Sequence, residues 1–559
     1  MIRKLLLFVA ALLVAAPANA EWYMATSTNF IVYSEGSEQD AREIAAKLER
    51  FNFVLRAYHR VTAPGAPNKL RVFLMAGRNG VARMAGAQPS SGIAGYYVPW
   101  ARAQLLVGTR SQASTRAGGL DPESILLHEY THHFMYRYFP ATYPVWYSEG
   151  FAEFWGSTAF LENDVVEVGR PAEHRFETFR QLGWLPLDRL FVAHNYQELG
   201  GTNIFLMYAQ GWLTLRYVFE NPERRRQLDQ YLNLINGGAT YEAAMRQAFP
   251  DLGTFNSQLY EYAGRVRYNV LRLPFRTIDV GQITTRVLGP AEQALITTEV
   301  KVSQGYPARE AAEFATEVRG IAARFPNDPF AIGLVMEVER LAGNNAAALA
   351  AADRLLALRP DDPRALVTKG LVQVAALRAA GTTDNEAWDA ARELFLRANR
   401  AAPNDPIVLE AYYDSFVIQG VTPPEGAQAA LYTAMELAPS DPELRYKVAL
   451  DFEQREMFRE ALAIIRPVAY ASPHRGNESG GERRRREERE EREREAGRTL
   501  HESPREMLAR LERRLGLPPS APADAQPARP QRPNNVQRPL FTASFAPSRA
   551  SSFALRSNP

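Results

Sequence analysis

HEYTHHFMYRYFPATYPVWYSEGFAEF, His128 to Phe154, is the stretch around which the rest of the chain is organised. It opens on an HExxH pattern. If residues 128–132 are helical, His128 and His132 sit one turn apart on one face. Two imidazoles placed this way, with a carboxylate between them, suit a catalytic zinc ion. His128 and His132 would be ligands, and Glu129 the general base acting on a zinc-activated water. A catalytic zinc takes three protein ligands and keeps one position open. The third is offered by Ser148-Glu149-Gly150-Phe151-Ala152-Glu153, with 16 residues between His132 and Glu149. Glu153, one turn after Glu149, can accept the free N–H of a ligating imidazole. Pro140 and Pro144 make the connector a turn. His133 points to another face, as a packed or hydrogen-bonding side chain rather than a ligand.

Upstream, Asp121 is a reasonable N-cap and Pro122 a reasonable first helical residue, and Ile125, Leu126, Phe134 and Met135 would seat that helix in a core. HEYTH followed by WYSEGFAEF resembles the gluzincin, or peptidase MA-like, zinc metallopeptidases, whose third ligand is a glutamate. The gap is somewhat shorter than in their best-known members. The resemblance implies an α+β zincin-like domain over residues 21–270, a Zn2+ cofactor and a peptide or protein substrate. In such proteins a Tyr-x-Gln helix follows the glutamate segment. That makes Tyr208 a candidate donor to the oxyanion, with packing in an aromatic core as its other reading. The Gly-x-Met-Glu-Asn segment by which gluzincin aminopeptidases bind a free amine is missing upstream of His128, which points to an endopeptidase.

The chain of 559 residues predicts several domains. Its net charge of +2 points to neither nucleic acid nor a membrane surface. Residues 1–20 read as a signal peptide: basic Arg3 and Lys4, an apolar run from Leu5 to Ala16, then Ala18-Asn19-Ala20. No other segment approaches a spanning length. The chain holds 0 Cys, so disulfides are excluded. The expected location is exported, periplasmic or secreted.

Residues 21–120 predict α/β structure. Strands are expected at Asn29–Ser34, Lys69–Met75, Gly92–Trp100 and Ala103–Gly108, the last two as a hairpin. A helix is expected over Ser37–His59 with Ala45, Leu48, Phe51, Phe53 and Leu55 on or near its buried side. In gluzincin-like domains the sheet's edge strand pairs with extended substrate. Ala103–Gly108 is the candidate edge here, and an ordinary buried strand is its other reading. Residues 201–263 read as helices. Residues 270–300 alternate apolar and polar (FRTIDV, ITTRVL, ALITTEV) and predict a linker or small β element over 271–305.

Pro326-Asn327-Asp328-Pro329, Pro360-Asp361-Asp362-Pro363, Pro403-Asn404-Asp405-Pro406 and Pro439-Ser440-Asp441-Pro442 recur at spacings of 34, 43 and 36 residues. Between them lie amphipathic helices rich in small residues. Residues 306–475 look like tetratricopeptide repeats, an all-α solenoid with an insertion near Ala380–Asn385. In each turn the first Pro ends a helix, Asp caps the next, and the second Pro enters its first turn. Residues 476–559 predict a charged, disordered tail, with Glu482–Glu495 nearly pure Arg and Glu and one amphipathic helix over Pro504–Leu515.

The expectation is an exported zinc peptidase whose repeats bind a substrate or an unidentified protein partner. Its alternative is a non-catalytic repeat scaffold, or pseudopeptidase, mediating protein–protein interaction in the cell envelope. No nucleic-acid role is expected.

Overall fold

The computed structural model describes residues 21–89, 93–110, 121–162, 165–171, 173–265, 268–275, 277–306, 308–469 and 503–520. The expected signal peptide, the Arg/Glu run and residues 521–559 of the expected disordered tail lie outside the described residues, whereas residues 503–520 of that tail are described and Ser520, expected to be disordered, is buried against Glu512.

Strands β1 (Trp22–Thr26), β2 (Phe30–Glu35), β3 (Leu70–Met75), β4 (Gly95–Trp100) and β5 (Ala103–Thr109) interleave with helices α1 (Glu38–Tyr58) and α2 (Arg78–Met84). They join a late strand, β9 (Thr284–Val287), in one six-stranded sheet of order β4-β5-β3-β2-β1-β9. The β2–β3 and β3–β5 pairs are parallel, whereas β4 runs antiparallel to β5 as the outermost strand. The edge is therefore β4 and not Ala103–Gly108: the hairpin turn at Ala101–Arg102 folds β4 back along the outside of β5. In α1 the Ser37 side chain caps the first turn, and Asp40 returns the bond to the Ser37 backbone. Ala45, Leu48, Phe51 and Leu55 are buried, but Phe53 is 39% exposed. One turn of helix separates neighbours on a face by three or four residues, so a residue two from Phe51 and two from Leu55 points away. Phe53 packs instead edge-on to Phe275.

Both faces of the sheet are covered, as parallel pairing requires. On one face Val32, Val72 and Leu106 pack into a large core. That core includes Phe51 of α1 and residues of α3 (Pro122–Tyr138), α4 (Val145–Gly156) and α8 (Asn203–Glu220). On the other face Phe73, Leu105 and Val107 meet Val81 of α2 and Ile296 and Val300 of α12 (Pro290–Gln304). Between α4 and α12 the chain forms β6 (Ala159–Phe160), β7 (Val165–Val168), α5 (Glu173–Leu182), α6 (Leu187–Val192) and α7 (Tyr196–Leu199). After α8 come α9 (Pro222–Asn236), α10 (Tyr241–Ala248), α11 (Leu252–Ala263) and β8 (Leu271–Pro274). Strand β8 pairs with β7 in a second small sheet.

Residues 271–305 are thus no free-standing linker. Leu271–Pro274 and Thr284–Val287 complete the two sheets, and the ALITTEV stretch is helical, within α12. Pro290 opens that helix, and its buried residues divide between two neighbours. Ile296 and Val300 face the sheet, while Ala291, Leu295 and Val302 face the next helices. The β-branched residues that suggested a strand are the ones packed between two layers.

The following helices are α13 (Ala311–Ala322), α14 (Pro329–Leu341), α15 (Asn345–Leu358), α16 (Pro363–Ala379), α17 (Asn385–Ala401), α18 (Pro406–Gln419), α19 (Glu425–Leu437), α20 (Pro442–Gln454) and α21 (Phe458–Ala469). Each packs on the next, and α14, α16 and α18 also pack on one another, which makes a two-layered helical solenoid. Asp328, Asp362, Asp405 and Asp441 each accept bonds from the first backbone amides of the helix they precede, and a proline follows each at the first helical position. The long second spacing is absorbed by α16 and α17, at 17 residues each, against 13 and 14 for α14 and α15. A last helix, α22 (Pro504–Arg514), buries Met507, Leu508 and Leu511 against α21. No helix among the described residues is long and apolar enough to cross a membrane.

Candidate metal centre

Helix α3 begins as its sequence dictates: Asp121 caps Ser124 N at 3.0 Å, and Pro122 occupies the first turn. The middle of the helix is buried all round, from Leu126 to Met135. Helix α4 lies against it, and α8 crosses α4 with backbones in contact. A Cβ on Gly150 would stand 2.4 Å from the Gly211 carbonyl, and one on Gly211 would stand 2.5 Å from the Trp146 carbonyl. Gly156 sits equally close to α3, since its Cβ would approach His128 Cβ to 3.0 Å. The glycine of the SEGFAE segment therefore sets how deeply Glu149 enters the site.

His128, His132 and Glu149 converge. The two Nε2 atoms are 3.1 Å apart, and Glu149 Oε2 stands 3.3 Å from one and 3.6 Å from the other. Tetrahedral zinc with bonds of about 2.0–2.1 Å separates its ligand atoms by about 3.3 Å, so the three fit such an ion. The far side of each donor is engaged. His128 Nδ1 lies 3.4 Å from Glu153 Oε1, and His132 Nδ1 lies 3.4 Å from Ser148 Oγ, itself 3.2 Å from Tyr136 Oη. Protons held on the Nδ1 atoms leave the Nε2 lone pairs to face the shared centre. Tyr196 of α7 donates to Glu149 Oε1 at 2.6 Å, which leaves Oε2 to the imidazoles.

The charge balance fits a cation as well. Glu129, Glu149 and Glu153 are buried or nearly so, and among the described residues the Arg175 guanidinium bonds Glu153, through Nε and Nη2. Burial would raise the Glu153 carboxyl, but Arg175 and then His128 hold it well below the usual range. Burial likewise opposes a proton on His128, yet Glu149 and Glu153 raise it to about 10. Carboxylates in low dielectric make this point attractive to positive charge.

Glu129, one residue past His128, is buried beside β4: a Cβ on Gly95 would lie 3.5 Å from its Cγ. The edge strand thus passes directly over the HExxH helix. The Tyr208 ring lies tilted 6.3 Å from that of His128, under the Arg175 guanidinium at 5.1 Å. Burial, then Glu149, raises its hydroxyl well above the ordinary value. His133 faces away from the cluster and bonds Tyr97 of β4, Nδ1 to Oη, at 3.1 Å. Gln210, two residues after Tyr208, is fully buried and pins the Leu185 backbone through both its oxygen and its nitrogen. Arg175 and Tyr196 were not visible as site residues in the sequence. They stand on short helices at no fixed offset from the histidines, and only a surplus of buried carboxylate hinted that a cation and a donor were needed.

The chain matches no protein-family model and no curated protein. Among solved structures it is similar to a thermophilic TPR protein of Thermus thermophilus, at 20% identity over 30% of this chain and 85% of that one, with a TM-score of 0.26. It is also similar to the MamA RS-1 ArsTM double mutant, at 16% identity over 29% and 85%, with a TM-score of 0.23. Scores this low carry neither a fold nor a function.

Proposed function

We propose that the chain is an exported zinc-dependent peptidase. The observation that carries this reading is the convergence of His128 Nε2, His132 Nε2 and Glu149 Oε2 within 3.6 Å of one another, each oriented from behind. These three would hold the ion. Bound there, zinc would supply a Lewis acid that polarises a carbonyl and acidifies water. Glu129 takes a proton from the attacking water and returns it to the departing amine. Tyr208 offers its hydroxyl, kept protonated by burial, to the oxygen that gains charge. The outer edge of β4, beside Glu129, pairs with extended substrate by strand addition. The absence of a free-amine-binding segment favours internal cleavage.

Metal analysis of purified protein, followed by proteolysis of an unfolded substrate by wild type and Glu129→Gln, tests this. The expected result is about one zinc per chain in both and turnover in wild type alone. A second reading, a repeat scaffold without catalysis, is favoured by the nine consecutive helices α13–α21 given to the solenoid. Zinc at full occupancy with no cleavage of any substrate would decide for it.

A further inference from the structure

We propose a second binding site, independent of the metal centre, in the groove between the sheet and the inner helices of the solenoid, which takes an acidic peptide segment of a partner protein. The groove has a volume of about 720 Å³. That is within the range of ligand-holding clefts. Its walls come from both halves of the chain: β3 and the β4–β5 turn on one side, and α12, α14, α16 and the start of α18 on the other.

The charge is lopsided. Lys69, Arg71, Arg102, Arg340 and Arg364 line the groove against Glu299, Glu337 and Asp405. Arg71 pairs with Glu299. Asp405 caps α18 through the amide of Ile407, at 2.9 Å, and its charge also acts on Arg364. Glu337 is left as one carboxylate among three guanidinium groups. It pairs with Arg340 at 2.8 Å, and Arg364 and Arg102 add their fields to it from α16 and from the β4–β5 turn. Burial would raise that carboxyl, and the three arginines together lower it. Arg102 and Arg364 are exposed and form no ion pair among the described residues.

Two guanidinium forks aimed at one groove match carboxylates bidentately. Beside them Leu334, Val367 and Leu371 supply apolar wall. This combination selects a segment with acidic and aliphatic side chains rather than a small anion, which would leave the apolar wall wet. Because Arg102 comes from the sheet domain and Arg364 from the solenoid, the site exists only when the two halves are docked.

The test uses the full chain carrying Glu129→Gln, so that no peptide is consumed, and fluorescence anisotropy with a labelled peptide of alternating Glu and Leu. Controls are the same peptide with Gln or with Lys for Glu. Expected are saturable binding of the Glu peptide, at least about tenfold weaker binding of the Gln peptide, and none of the Lys peptide. Arg102→Gln and Arg364→Gln should each weaken the Glu peptide about tenfold, with a shallower salt dependence. Both side chains are exposed, so the fold tolerates the change, and a thermal melt unchanged from that of Glu129→Gln alone reports that it has. Equal affinity for the Glu and Gln peptides, or unchanged affinity in both variants, overturns the proposal. Because zinc content and peptide binding are read separately, failure of the metal reading leaves this result intact.

Discussion

Tyr196 donates to Glu149 Oε1 at 2.6 Å, and Glu149 Oε2 faces His128 and His132 at 3.3 and 3.6 Å. One residue on a four-residue helix thereby divides the carboxylate into an anchored oxygen and a donor oxygen. Tyr196→Phe should lower zinc affinity about tenfold, the usual size for loss of a partner behind a metal ligand. Tyr208→Phe should lower turnover by more than it lowers zinc affinity, because its hydroxyl is assigned to substrate and reaches Glu149 only through the Tyr196 hydroxyl it bonds. Zinc competition against a chelator, beside kinetics on one substrate, separates the two.

Gly150 is where α4 and α8 touch. An added Cβ meets the Gly211 backbone at 2.4 Å, and backbone cannot turn aside as a side chain can. Gly150→Ala should cost roughly 1–3 kcal/mol or more and weaken zinc binding, since the helix carrying Glu149 must shift. Gly426 in α19 has nothing within 4 Å of its Cβ position. Gly426→Ala should therefore be neutral or stabilising by about 0.5 kcal/mol. Denaturant titration of the two variants checks the contrast.

Much of this was legible in the sequence because the signals were local. HExxH requires only helical spacing to bring two imidazoles together, and the proline–aspartate turns specify their caps without any partner. The β4–β5 hairpin was visible, but which strand was outermost was not, since that depends on the turn at Ala101–Arg102. Residues 294–300 misled because two-sided burial of α12 reads as alternation, whereas ITTRVL does hold the strand β9. Nothing near Tyr196 or Arg175 marks them, as their roles arise only when distant segments meet at buried carboxylates.

Glu410 of α18 shares Lys447 with Asp414, at 2.5 and 2.7 Å. Burial raises the Glu410 carboxyl to about 7 from an ordinary value of 4.5, outweighing Lys447. The folded state therefore holds this proton more tightly than the unfolded chain. The stabilisation is full below about pH 4.5 and is lost as pH rises through about 7. Glu410→Gln, which carries no titrating group, should remove that part of the decline. Thermal melts of the solenoid transition at pH 5 and pH 8 should differ less in the variant than in wild type. An equal difference in both would show that the carboxylate is ionised without cost.

Asp441 differs from the other three turn aspartates. Its Oδ1 caps α20 at Glu443 N (2.7 Å), as theirs do, but its Oδ2 accepts from Ala101 N at 2.6 Å, in the β4–β5 turn. Next to it, Ser440 Oγ lies 3.4 Å from Tyr97 Oη, which also bonds His133 of α3. Gln104 and Arg137 reach the Leu437 carbonyl from the same side. One solenoid turn thus fastens the edge strand that passes over Glu129. Asp362→Ala should cost about 1 kcal/mol and act only on its own helix, as loss of a cap does. Asp441→Ala should cost that much and also loosen the edge strand, seen as faster amide exchange in β4 and a higher KM for extended substrate at unchanged zinc content. If β4 exchange is the same in both variants, the solenoid braces nothing at the site, and the two halves of the chain act separately.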